Sequence, residues 1–248
     1  MKYINLGGCI LPSRTNHLGQ AIGEIADSWS SRSLPPRSPI EGRFCRIEPI
    51  NAVEHGASLY EAFALDRGGA NWTYLGHEPF SNEDACLQWI ETSCLSEDPL
   101  FHAIIDISTG KPVGVASLMR IDPLNGVIEV GNIHYSPLLQ RKPAATEAMF
   151  LLMRRVFDEL GYRRYEWKCD SLNAPSKRAA VRFGFRYEGL FRQAVVYKGR
   201  NRDTTWFSII DSEWPGLRSA YEAWLDFSNF DERQQQKTQL RDLIKAHR

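Results

Sequence analysis

The residues best placed to do chemistry lie between Gly126 and Phe185. A basic turn, Gln140-Arg141-Lys142-Pro143-Ala144-Ala145, joins an apolar run (Val127 to Tyr135) to an amphipathic one. The first N–H groups of a helix lack intrahelical acceptors and carry the positive end of its dipole. A first turn beside two cations therefore suits a phosphorylated ligand. Here the N–H donors would come from Arg141, Lys142, Ala144, Ala145 and Thr146. Farther on, Asn173-Ala174-Pro175-Ser176 opens a second, shorter helix. Either feature alone fits a solvated turn or an ordinary helix cap. Their order, strand to turn to helix to strand to capped helix, points to a nucleotide-bearing ligand.

These residues need a sheet to hold them. From near Arg43, Phe44 to Pro49 alternates as a strand that ends at the proline, Asn51 to Leu65 reads as a helix, and Ser81 or Asn82 caps another helix running through Trp89 and Ile90. Three strands follow: Leu100 to Ile107, Pro112 to Ile121 and Val127 to Tyr135. Asn125-Gly126 supplies the left-handed backbone of a hairpin turn. From Ala144 to Leu160, residues Met149, Leu152, Met153, Val156, Phe157 and Leu160 form one apolar stripe, with Pro143 at its start and Gly161 as its stop. Strand Arg164 to Cys169, a short helix ending at Gly184, strands Arg186 to Tyr197 and Arg202 to Ile210, and a helix from Trp214 complete the pattern. The expected class is α/β: a mixed, mostly antiparallel central sheet with flanking helices. Residues 1–40, polar and proline-rich, read as an extended arm, 41–228 as the catalytic domain and 229–248 as a polar, helical tail.

The formal net charge is +0, which gives no global field toward nucleic acid or anionic lipid. No apolar run is long enough to span a membrane, and no signal peptide is expected at the start. Five scattered cysteines (Cys9, Cys45, Cys86, Cys94, Cys169) form no CxxC pair, which fits a cytoplasmic protein. The six histidines show no ligand spacing, so no metal is expected.

Four blocks give the chain a recognisable signature. They are Val130-Gly131-Asn132-Ile133-His134-Tyr135-Ser136-Pro137, Gln140 to Ala145, Asn173-Ala174-Pro175-Ser176 and Arg182-Phe183-Gly184-Phe185-Arg186-Tyr187-Glu188-Gly189. In this order they resemble the GNAT superfamily of acyl-CoA-dependent N-acetyltransferases, over roughly residues 40–212. Within it they are most similar to the Rim-type branch that acetylates ribosomal-protein N-termini. One departure is Pro143, where the family turn carries its first glycine; proline removes one N–H but suits a helix start.

The resemblance implies the GNAT fold, with two central parallel strands, Val127 to Tyr135 and Arg164 to Cys169, splayed apart. It implies acetyl-CoA as acyl donor, its diphosphate on the turn and its arm in the gap. Backbone groups of Ile133, His134 and Tyr135 would then polarise the thioester. Asn173 would meet the pantetheine arm, and Ser176 would protonate the departing thiolate. For the base, Glu129 and Glu166 lie on the two strands around the site; Glu129 is favoured, with His134 second, and a water chain could also serve. Trp72, Tyr74 and Phe80 form either the acceptor pocket or a satellite core. The implied reaction is direct transfer in a ternary complex to a primary amine: a peptide N-terminus, an amino-acid-like metabolite or an amine antibiotic. The alternative is a non-catalytic acyl-CoA-binding module. A monomer or homodimer is expected, with no nucleic-acid or membrane partner.

Overall fold

The computed structural model describes residues 14–26, 28–233 and 235–247. Contacts divide the chain into two units, Met1–Ser31 and Arg32–Arg248. In the first, β1 (Arg14–Thr15) and β2 (Ala21–Ile22) pair as a short antiparallel ladder. Cys9 lies outside the described residues.

The second unit carries one eight-stranded sheet. Its strands are β3 (Ile40–Glu41), β4 (Cys45–Pro49), β5 (Leu100–Asp106), β6 (Lys111–Asp122), β7 (Val127–Tyr135), β8 (Arg164–Asp170), β9 (Arg186–Tyr197) and β10 (Arg200–Ile210). Their spatial order is β3-β4-β5-β6-β7-β8-β10-β9, and every neighbouring pair is antiparallel except β7 and β8. The helices are α1 (Ala52–Ala64), α2 (Glu83–Ser93), α3 (Pro143–Arg154), α4 (Ala174–Arg182), α5 (Trp214–Leu225) and α6 (Leu240–His247).

Side-chain alternation sends successive strand residues to opposite faces. On β5, Phe101, Ala103 and Ile105 join a cluster with Leu59, Phe63 and Ile90 of α1 and α2. Ile104 joins the other, larger core, under Met149 and Leu152 of α3. With both faces covered, every residue of β5 is buried. Asn51 and Asn82 cap α1 and α2 through their side-chain oxygens.

Two features of α3 depart from a one-sided stripe. All residues from Ala144 to Met153 are buried, because α5 covers the side away from the sheet; Phe150 stacks on Tyr221 at 5.4 Å. The α-helix also stops at Arg154 and passes into a π turn, Arg155–Glu159, with Leu160 N–H donating to Arg155 O at 3.0 Å. The buried Arg155 guanidinium donates to Ser38 O (2.7 Å) and Pro39 O (3.3 Å). A partner more than a hundred residues earlier in the chain leaves no local sequence signal. Glu147 of α3 is a second such case. Its buried carboxylate accepts the N–H groups of Arg43 (2.8 Å), Phe44 (2.5 Å) and Cys45 (2.8 Å) and so fixes the start of β4.

Arg32 Nε donates to Gly161 O and Tyr162 Oη to Ser33 O, so 32–39 is tied to the π-turn end of the domain. At the other terminus, Leu240 and Ile244 of α6 are buried in the larger core.

Candidate active site

The parallel rungs of β7 and β8 run Val127 to Arg164, Ile128 to Tyr165, Glu129 to Glu166 and Val130 to Trp167, and there they end. Beyond the last rung each strand follows its other neighbour. β7 stays on β6 through His134 and Tyr135, while β8 stays on β10 through Cys169 and Asp170. A fork opens between them. A register shift against β6, with Asn132 at φ 49°, bends β7 at the mouth of the fork. Ser136 N–H donates to Val113 O at 3.2 Å, so alternation pairs His134 with Val115 and turns the N–H of Tyr135 toward the gap. On that same edge the Tyr135 carbonyl accepts Gln140 Nε2 at 2.8 Å.

The basic turn closes the fork at the start of α3. Of the five expected donors, two are engaged: Lys142 N–H meets Leu139 O (3.3 Å) and Ala145 N–H meets Lys142 O (3.1 Å). Among the described residues, the N–H groups of Arg141 and Ala144 meet no acceptor outside the helix and no side chain caps it, whereas Thr146, the fourth helical residue, falls within the helix's own hydrogen-bond ladder. Lys142 Nζ lies 3.5 Å from Asp106 Oδ2, and Arg182 Nη2 donates to Thr146 Oγ1 at 3.0 Å. Free donors on a largely buried helix terminus fit a diphosphate.

Asn173 and Ser176 stand at the β8 side of the fork. Asn173 Oδ1 accepts the Ser176 N–H at 3.0 Å and caps α4. Ser176 Oγ accepts Trp167 Nε1 at 3.0 Å, on the last rung itself. Nearby, burial pushes the Cys169 thiol up, against hydrogen bonds from Ser176 and Thr205 that lower it.

Glu129 is buried, and its Oε2 is shared by Arg120 Nη1 (2.7 Å) and Lys168 Nζ (2.8 Å). Lys168 also reaches Glu166 Oε2 (2.7 Å) and lies 3.8 Å over the Trp206 ring. Sequence reading found both glutamates but not their cations, because the pairing depends on strand register. His134 is buried, stacked on Phe63 at 3.9 Å and edge-on to Trp72 at 4.3 Å. Burial, then the neighbouring His77, push its pKa down to about 3. It is neutral at neutral pH, and its Nε2 has no partner.

Trp72 and Phe80 pack in the α1/α2 cluster around Phe63. Tyr74 is half-buried, and its hydroxyl donates to Leu172 O at 3.0 Å, tying the α1–α2 loop to the turn after β8. The β9–β10 hairpin holds the same loop: Lys198 Nζ donates to Trp72 O (2.9 Å) and Arg200 Nη2 to Thr73 O (3.2 Å). Sequence reading missed this clamp, and it also missed His77 and Asn132, which lie beside His134.

Glu48, Glu54 and His55 are close enough to share an ion. Both imidazole nitrogens are already engaged, Nδ1 by Asn51 N–H (3.0 Å) and Nε2 by Glu48 (2.9 Å). Among the described residues, no helix is long and apolar enough to cross a membrane.

The acetyltransferase (GNAT) domain family matches residues 47–186. A GCN5-related N-acetyltransferase from Brucella melitensis is 52% identical, with 88% of this chain and 98% of that one covered and a TM-score of 0.86. A probable acetyltransferase (GNAT family) from Chromobacterium violaceum ATCC 12472 is 40% identical over 78% of this chain and 96% of its own, with a TM-score of 0.73. The ribosomal-protein-serine acetyltransferase of Escherichia coli K12 is 31% identical over 102 residues, 41% of this chain and 56% of that relative.

Proposed function

Because the chain belongs to the GNAT acetyltransferase family, we propose that it moves an acetyl group from acetyl-CoA to a primary amine, by direct transfer in a ternary complex. The observation that carries this reading is the fork. Beyond Val130 and Trp167, among the described residues, the facing edges of β7 and β8 pair with no strand, so an extended acyl arm can add there like one. The Tyr135 N–H faces the gap, where it can donate to the oxyanion that forms as the amine attacks. The N–H groups of Arg141 and Ala144 hold the diphosphate, beside Thr146 in the first turn, and Arg141 adds positive charge. Asn173 meets the arm, and Ser176, accepting from Trp167, can turn its hydroxyl proton from Cys169 to the departing thiolate.

The base is Glu129. Its Oε2 is occupied by two cations, so Oε1, beside Gly131, is the oxygen left to take the ammonium proton, directly or through water. His134 does not serve, since an imidazole with so low a pKa keeps no proton at neutral pH. Trp72 and Phe80 shape the acceptor side from within its wall, and Tyr74 fixes the loop. Among acceptors, a peptide N-terminus in the manner of the Rim-type branch is supported by the E. coli relative. Amino-acid-like metabolites and amine antibiotics are the other acceptors of the same chemistry.

One feature favours a second reading, a non-catalytic acyl-CoA-binding module. Pro143 removes an N–H from the turn, and two cations already occupy Glu129. Release of free CoA separates the two. Acetyl-CoA incubated with a panel of amines yields thiol if the chain is a transferase. Binding without thiol release on any amine would establish the module instead.

A further inference from the structure

A row of alternating charges crosses the sheet below the fork. Ile128, Val130, Tyr165 and Trp167 join the core under α3, so alternation puts Glu129, Glu166 and Lys168 on the opposite face. There Arg120 of β6 meets Glu129 of β7, and Lys168 of β8 joins Glu129 to Glu166. Arg164 continues the row, from Glu166 Oε1 (2.6 Å) to Glu188 Oε1 of β9 (2.8 Å), and Ser208 Oγ of β10 donates to Glu188 at 2.6 Å. Glu129 and Glu166 are partners on one rung of the parallel pair. Carboxylates so placed repel unless a cation lies between them. Lys168 Nζ is that cation, 2.8 Å from Glu129 Oε2 and 2.7 Å from Glu166 Oε2. Lys168 is also the first β8 residue past the last rung, so its bond to Glu129 spans the joint where the strands part. Its side chain is 7% exposed and its ammonium lies against the Trp206 ring, which leaves it few other positions. The second cation on Glu129 is held differently: the Arg120 side chain is 57% exposed, where water and salt screen its charge.

We propose that Lys168 is a positioning residue for acetyl transfer: from across the apex of the fork it holds Glu129 by Oε2, leaves Oε1 for the amine, and offsets the charge of Glu166. The assignment rests on Glu129 as the base. The charged groups that face Glu129 are Arg120 from β6 and Lys168 and Glu166 from β8. Removing the two β8 charges one at a time therefore moves the pH dependence of kcat in opposite directions. Without the ammonium, Glu129 loses a cation and faces Glu166 alone, so it holds its proton to higher pH. Without the charge of Glu166 it loses a like neighbour, so it gives the proton up at lower pH. A lysine that only packed against Trp206 would produce no such opposition.

The test uses the whole chain, acetyl-CoA and three amines, alaninamide, an alanyl tripeptide and kanamycin, and carries forward the one that releases CoA fastest. Lys168→Met keeps an unbranched stem against Trp206 but removes the charge. It should lower kcat by ~10-fold or more and move the rise of kcat with pH upward by about one unit. Glu166→Gln should move that rise downward, and Lys168→Arg should restore most of kcat. Acetyl-CoA should still bind each variant in calorimetry, which shows the fold intact. A Lys168→Met profile that stays at the wild-type pH would overturn the proposal, as would one that moves no differently from that of Lys168→Arg. Should Lys168→Met not fold, Glu166→Gln decides alone, and an unmoved profile there overturns the proposal. Glu129→Gln runs alongside. If it matches the wild type, the base assignment falls and takes the proposal with it; if it responds and Lys168→Met does not, the proposal alone falls. CoA release with none of the three amines, while acetyl-CoA binds, removes both.

Discussion

Two buried histidines should make this domain sensitive to mild acid. His102, at the centre of β5, is 0% exposed, and neither ring nitrogen has a partner. Burial, then Arg155 and Arg37, push its pKa from 6.5 to about 3. His134 shows the same displacement, to about 3. The unfolded chain binds both protons below pH 6.5 and the folded one does not, so stability falls as pH drops from 6.5 toward 3. Each group well inside that window costs about 1.4 kcal/mol per pH unit. From pH 6.5 to 4.5 the two together remove on the order of 4–5 kcal/mol, a large part of a domain's usual 5–15. Urea unfolding at pH 6.5, 5.5 and 4.5 reads this, and the histidine variant below separates it from the glutamates that begin to protonate near pH 4.5. His102→Leu should remove about half of the slope, and it should not destabilise at neutral pH because it removes two unpaired polar atoms. A wild-type loss under ~1 kcal/mol, or an unchanged slope in the variant, would refute the argument.

Three further outcomes follow from the geometry. Glu147→Ala leaves three N–H groups at the start of β4 without their acceptor, those of Arg43 and Phe44 part-buried and that of Cys45 buried, and should cost about 2–3 kcal/mol, read by urea unfolding. Asn173→Ala should cost only about 1 kcal/mol of stability, as a lost cap, yet lower kcat/KM by a larger factor; equal losses would leave it a cap alone. Glu129→Gln should depress kcat and flatten its rise with pH, and an unchanged pH profile would remove Glu129 as base.

Much of the fold can be read from the chain because its signals are local. β7 runs from Val127 to Tyr135 as alternation and its flanking turns require, and β9 likewise keeps the span Arg186–Tyr197. Pro143 starts α3, and Asn51 and Asn82 cap as their types demand. What escaped is set by distant partners. The π turn depends on Arg155 reaching Ser38, and the burial of α3 on α5 packing over it. At the site, motif spacing singled out the turn, Asn173 and Ser176 as candidates. It did not show Lys168 and Arg120 on Glu129, nor Phe63 beneath His134, because strand register and helix docking make those contacts.

The central claim is tested most directly by a crystal structure of the chain with CoA. The expected result places the diphosphate within hydrogen-bonding distance of the Arg141 and Ala144 N–H groups. It also places the arm between β7 and β8 beyond Val130 and Trp167, its sulfur end toward Tyr135 N–H. A coenzyme bound on another face, or a fork left open at millimolar CoA, would contradict it.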